Sequence, residues 1–365
     1  MSDKSKNSMI KFKFNPFDVL YFGGGKPFNL SVQEASSIFP PFPNTLASAI
    51  CSKIYFEKGI NVSKIIRKFY GPFLEKEGKI LLPKPLDILC EIKKKDGEIC
   101  GVDLKDKFKL INPAYTDCQG LKALLWENKR NKHFEVFESF ITIDGLKKWL
   151  NNQEIKKEDL VFKGDIFEFE PRIGIKMDNS RNVTKEEDAL YRIDFVRFKE
   201  GINLIFYVEF NFDDEELKNT GLDDLDKIYD LFNNTIKVLK LGGEMRSIRY
   251  ECERVEKSIE EILEIRKPQI KNNDVIKILY LTPGITPFIS EENFSFLEFL
   301  SVVIKSTNLV MKSKNCGNGK ILRRGIVAGS VIYAKVKDGN KLNEIWLNPK
   351  DGEFIGCDLR IYTKI

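Results

Sequence analysis

The 365-residue chain carries 59 Lys+Arg against 54 Asp+Glu, a formal net charge of +5, with 42% apolar and 31% charged residues. That balance excludes a disordered chain and a membrane-embedded one, since no apolar run approaches the ~18 uninterrupted residues of a spanning helix. Seven scattered cysteines with no C-x-x-C pair, and one histidine, His133, exclude a disulfide scaffold, a cysteine zinc site and any two-histidine centre within the chain. The length predicts about two domains. The N-terminus lacks an apolar signal core, so the expected location is the cytoplasm.

Ile10, Phe12 and Phe14 alternate with Lys11 and Lys13, which predicts a half-buried strand running to about Leu20. The loop Gly23-Gly24-Gly25-Lys26-Pro27-Phe28 follows. It pairs a cation with an aromatic, a combination suited to a phosphate and a stacked base, or it is a plain surface turn. A helix is predicted from an Asn44 N-cap through Leu46, Ala49, Ile50 and Ile54 to a Gly59 stop. Residues 61–160 read as a long insertion that includes a helix around Trp149 and holds His133.

Regularity returns in DIFEFEPR (Asp165–Arg172) and in LYRIDFVRF and INLIFYVEF, which flank a turn at Lys199-Glu200-Gly201. An acidic stretch, 211–230, leads into a helix carrying Leu222, Leu225, Ile228, Tyr229, Phe232, Ile236 and Leu239, which should end at Leu241-Gly242-Gly243 before a strand at about Arg246–Val255. The order β–α–(insertion)–β–β–α–β is that of a ferredoxin-like, RRM-like unit. A charged helical linker at about Glu256–Asn273 then opens a second unit. Its predicted elements are a strand at Val275–Leu281, a helix near Ser290–Thr307, and strands at Gly325–Lys337 and Ile355–Tyr362. The predicted class is α+β, with two ferredoxin-like βαββαβ domains: residues 1–256, bearing the insertion, and residues 257–365, reduced.

The segment Met311–Lys337 holds seven Lys/Arg (Lys312, Lys314, Lys320, Arg323, Arg324, Lys335, Lys337) and no acid. Gly317, Gly319, Gly325 and Gly329 would let its backbone approach a polyanion closely. A second Gly/basic turn, Lys240 to Arg246 with Arg249 beyond it, reads either as a helix C-cap or as a phosphate contact. No G-x-x-x-x-G-K-[ST], Gly-x-Ser-x-Gly or H-E-x-x-H motif occurs, and the acidic run lacks calcium-loop spacing. The chain therefore reads as a binder of nucleic acid rather than an enzyme, with no metal or cofactor.

Four segments together resemble a known family. FPPFPNTLASAI (Phe39–Ile50), EPRIGIKMD (Glu170–Asp178) with ALYR (Ala189–Arg192), LGGEMRSIRYE (Leu241–Glu251) and RRGIVAGSVIYAKV are similar, in the same order, to motifs of the third-subunit family of the type III-B CRISPR (Cmr) effector complex. That family is a Cas five-like group of the RAMP superfamily. The resemblance implies a non-catalytic subunit that grips the repeat-derived 5′ tag of crRNA and docks on the large Cas ten-type subunit and the first backbone RAMP subunit. Its motifs fall on Lys26, Asn44, Thr45, Arg172, Gly243, Arg246, Arg324, Gly325 and Gly329, and Phe28, Arg249, Lys320 and Arg323 complete the expected RNA-binding set. The alternatives are a metal-independent crRNA-processing endoribonuclease, which would have to use His133 or a Lys or Tyr, the equivalent type III-A subunit, and a protein scaffold without RNA contact.

Overall fold

The computed structural model describes residues 8–23, 34–59, 65–88, 90–95, 98–104, 109–111, 124–126, 138–175, 177–178, 183–184, 190–212, 221–285, 294–312 and 320–365. It is a mixed α+β structure, mostly sheet with few helices. Among these residues no helix is long and apolar enough to cross a membrane.

The first strand, β1 (Met9–Pro16), buries Ile10, Phe12 and Phe14 on one face, as its alternation requires. Regular pairing stops at Pro16, and Leu20, expected at the end of the strand, instead bridges to Val196. Helix α1 (Pro43–Lys58) starts one residue before its predicted cap. Pro43 occupies the first turn, where its missing N–H costs nothing, and extended Phe42 is the N-cap, so Asn44 is already helical. Leu46, Ala49, Ile50 and Ile54 are buried, and Gly59 closes the helix at φ 71° with its N–H donated to Tyr55 O.

The stretch read as an insertion supplies a strand of the main sheet, β2 (Ile66–Lys76), and the amphipathic helix α2 (Ile143–Leu150), which buries Leu146 and Trp149. Next come β3 (Phe167–Ile175), β4 (Leu190–Phe198) and β5 (Ile202–Phe210). The last two follow one another around a turn but belong to different sheets: β4 pairs with β3, and β5 lies between β1 and β2. Helix α3 (Leu225–Asn234) ends five residues before Leu239. The Asn-Asn-Thr run and the β-branched residues after it favour extended chain, and β6 (Val238–Lys240) pairs with β7 (Ser247–Val255). The main sheet therefore runs Leu160–Phe162, Ser139–Thr142, Lys79–Pro83, β2, β5, β1, β7, β6.

One face of that sheet packs on α1 and α3 through Phe12, Phe14, Phe69, Phe206 and Phe232, all fully buried. Phe206 contacts the rings of Phe12, Phe14 and Phe69 at centroid separations of 5.3, 4.8 and 4.9 Å. Burial is worth about 1.5–3 kcal/mol per ring before such pairing is counted, so most of the local stability resides in this layer.

The other face packs on α2 and on a second antiparallel sheet. The order there is β9 (Leu297–Val303), β12 (Val331–Val336), β8 (Val275–Tyr280), β13 (Arg360–Lys364), from the elements β8, β9, β10 (Ser306–Lys312), β11 (Lys320–Ile326), β12 and β13 in chain order. The helix predicted near Ser290–Thr307 is, over its described residues from Phe294 on, instead β9 and the start of β10. Its residues bury alternately at Leu297, Phe299 and Ser301, a period of two. The linker expected to be helical contains a single helical turn, Ile259–Ile262. The predicted Gly325–Lys337 strand is broken at Val327–Ser330, so β11 and β12 lie in separate sheets. The predicted strand at Ile355 starts only at Arg360.

Candidate nucleic-acid interface

Three distant segments meet where β1 leaves the main sheet. Residues 17–22 cross over the β3–β4 sheet, and the β6–β7 turn, 241–246, lies against them. The turn is held by backbone: Leu241 N–H donates to Arg246 O, and Gly243 N–H donates to Tyr21 O at 2.9 Å. Both glycines are demanded by this approach. A Cβ on Gly242, at φ 75°, would sit 2.3 Å from Tyr21 O, and one on Gly243 would sit 2.8 Å from the Tyr21 ring. The Gly-Gly pair is thus neither a helix C-cap nor a free cradle: Gly243 spends its N–H inside the fold.

Alternation on β3 puts Glu170 and Arg172 on one face, and register brings Phe195 and Arg197 of β4 to the same face. Asp18 reaches over them. Arg172 Nη2 lies 2.9 Å from Asp18 Oδ2, and its Nε donates to Glu170 Oε1 at 2.8 Å. Arg197 Nη2 donates to Asp18 Oδ1 at 2.9 Å, and its Nε donates to Glu170 Oε2. Burial pushes the Asp18 carboxyl up, but the hydrogen bonds from Arg172 and Arg197 outweigh it and hold the group below the usual carboxylate range. The same two arginines, Arg197 first, lower Glu170.

Arg246 approaches from the turn. Its guanidinium carbon is 4.7 Å from the Phe195 ring centroid, and its Nη1 is 3.6 Å from Asp18 Oδ2. Its Nε is enclosed without a hydrogen-bond partner among the described residues. Arg249, exposed on β7, lies 5.5 Å from the ring of Phe17, which is 56% exposed.

The structure therefore brings Arg172, Gly243 and Arg246 together, with Arg249 on the adjoining strand. Asn44 and Thr45 are half-buried in the first turn of α1. Arg324 is exposed on β11 opposite Asn308, and Lys320 and Arg323 lie on the same strand opposite Lys312 and Leu309, so these basic residues stand on paired strands; Lys314, Gly317 and Gly319 lie outside the described residues. Gly325 is buried. Gly329, at φ 91°, donates its N–H to Tyr280 O, accepts from Leu86 N–H, and would drive a Cβ to 2.4 Å from Lys84 O, so packing accounts for it. Lys26, Phe28 and His133 lie outside the described residues. Sequence reasoning missed Phe17, Asp18, Phe195 and Arg197. The only local signal was an aromatic and an acid directly after the strand-ending Pro16.

A family model described as CRISPR-associated protein (Cas_Cmr3) matches residues 12–359. No curated protein matches the sequence. Among solved structures, the chain is similar to one in the cryo-EM structure of the Type III-B Cmr-beta bound to cognate target RNA and AMPPnP. The identity is 17% and the TM-score 0.50, covering 88% of this chain and 86% of that one. A second Cmr-beta structure bound to cognate target RNA gives 16%, 0.49, and the same 88% and 86%. A chain of the Csm3-Csm4 subcomplex in the type III-A CRISPR-Cas interference complex gives 14%, 0.44, and coverage of 98% and 99%. With two of the motif segments, EPRIGIKMD and LGGEMRSIRYE, meeting on one ion-paired surface and the family match running through nearly the whole sequence, the chain belongs to the Cas_Cmr3 family of CRISPR-associated proteins and is a Cmr subunit.

Proposed function

We propose that this chain is the third, non-catalytic subunit of a type III-B effector complex, and that it grips the repeat-derived 5′ tag of crRNA while docking on the large Cas ten-type subunit and the first backbone RAMP subunit. The observation that carries the reading is the family match over residues 12–359, with two of the family-like motifs, those of Arg172 and Arg246, meeting on one arginine-rich surface. A single-stranded tag would be held by guanidinium groups at phosphates and by aromatic faces at unpaired bases.

The two-domain reading is part of the proposal. The elements β1-α1-β2-β5-α3-β7 with sheet order β2-β5-β1-β7, all antiparallel, follow the ferredoxin-like pattern. The order β9-β12-β8-β13 repeats it, with short 3-10 turns in place of a helix between the last two strands.

The test is binding of the purified full-length chain, in EDTA, to crRNA bearing the tag and to the same RNA with the tag scrambled, with RNA integrity read on a gel. Tag-dependent retention of intact RNA is the expected result. Site-specific cleavage, or equal affinity for both RNAs, overturns the reading.

A further inference from the structure

We propose that Asp18, Glu170, Arg172 and Arg197 form a charge-balanced positioning ring, and that this ring leaves Arg246 as the guanidinium that takes one backbone phosphate of a bound single strand. The inference rests on the RNA-binding reading above and refines it. Each carboxylate gives one oxygen to each arginine: Asp18 Oδ1 to Arg197 and Oδ2 to Arg172, Glu170 Oε2 to Arg197 and Oε1 to Arg172. Two positive and two negative charges therefore cancel within a closed loop of hydrogen bonds. A phosphate approaching Arg172 or Arg197 would find the Nε and Nη2 donors already engaged by carboxylates, and it would meet two negative groups there.

Arg246 stands outside the loop. Its ion pair to Asp18 is long, 3.6 Å, and its Nε is enclosed, so a phosphate would be taken by the Nη groups at the end of the fork. Its side chain keeps 28% of its exposure while the guanidinium is stacked on Phe195. The aromatic face and the Asp18 carboxylate restrain the plane of the fork without consuming its donors. That is the preorganisation suited to a tetrahedral anion. Phe17, next to Asp18 in sequence and backed by Arg249, offers an adjoining aromatic face for the base. Arg172, expected from the sequence to touch RNA, becomes a positioning residue that acts through Arg246.

The experiment measures the affinity of the full-length chain for tag-bearing and scrambled crRNA across a salt series. The variants are Arg246→Gln, Arg246→Lys and the charge-neutral pair Glu170→Gln/Arg172→Gln, each checked by its melting curve. Arg246→Gln is expected to weaken binding to both RNAs about tenfold and to lower the log–log salt slope by about 0.7, the single-strand value for one phosphate. Arg246→Lys should keep the slope and lose part of the affinity, because it retains the charge without the fork. The charge-neutral pair should lose affinity while keeping the wild-type slope, which a lost phosphate contact could not do. An unchanged slope in Arg246→Gln, or a fall of about 0.7 in the charge-neutral pair, overturns the proposal while leaving RNA binding by the chain intact. A wild-type chain that binds neither RNA overturns the proposal and the functional reading together.

Discussion

At the scale of residues, two glycines with similar φ serve different ends. Gly242 and Gly59 both lie in the left-handed region, at 75° and 71°, but a Cβ on Gly59 meets nothing within 4 Å while one on Gly242 meets the Tyr21 carbonyl. Gly59→Ala should cost about 1–2 kcal/mol, the backbone penalty alone, and Gly242→Ala about 2–5 kcal/mol, with overpacking added. Urea unfolding of both variants checks this, and equal costs would contradict the close approach. The ion ring makes a prediction of its own. Asp18 and Glu170 titrate below their ordinary values of 3.8 and 4.5, so the folded chain binds fewer protons than the unfolded one in that window. Their stabilisation is complete above about pH 5 and is lost as pH falls through the lowered values. Both groups are partly exposed, so the effect is modest, and Glu170→Gln should flatten the dependence of the melting temperature on pH between about 5 and 3. The motif residues were legible as a set but their partners were not: Arg172 and Arg246 are separated from Asp18 by more than a hundred residues, and no local pattern encodes a contact across that interval.

At the scale of elements, legibility followed burial. Strand β1 and helix α1 each present one wet face, so their periods of 2 and 3.6 are visible. Strand β2 is buried almost throughout, and Gly71-Pro72 interrupts it opposite Phe206, where the register shifts against β5. A strand covered on both faces loses its alternation, so the sequence of β2 shows no strand period and reads as part of an insertion. In and just before β9, apolar residues at 296, 297, 299, 300, 302 and 303 satisfy both periods, and tertiary pairing with β12 decided for strand. The helix layer yields a direct test. Phe232 of α3 is fully buried and 5.0 Å from the Phe12 ring, whereas Phe56 of α1 is 79% exposed. Phe232→Ala should cost about 3–5 kcal/mol and Phe56→Ala no more than about 0.5 kcal/mol, by chemical denaturation.

At the scale of the whole molecule, a buried polar joint ties the main sheet to the second one. Asp87 accepts from Trp149 Nε1 at 2.9 Å and from the Tyr333 hydroxyl at 2.8 Å. Lys277 Nζ donates to Trp149 O and lies 3.9 Å from the Trp149 ring centroid. Because one apolar cluster runs from Tyr70 and Trp149 into Ile278 and Tyr362, the halves should unfold together. Trp149→Ala, costing about 3–5 kcal/mol, should lower one shared transition, and two resolved transitions in calorimetry would refute a common core. By itself the sequence determined the class of chain, the amphipathic strand and helices, the basic Gly-rich segments and the family they resemble, because those properties are carried by composition and by short-range periodicity. Only the tertiary structure decided that the β2 stretch belongs to the main sheet, that Gly243 and Gly329 are consumed by packing, and that three arginines share two carboxylates. Charge pairing depends on distance in space: the β3–β4 register brings Glu170 to Arg172 and Arg197, and the chain leaving β1 and entering β7 brings Asp18 and Arg246 to them.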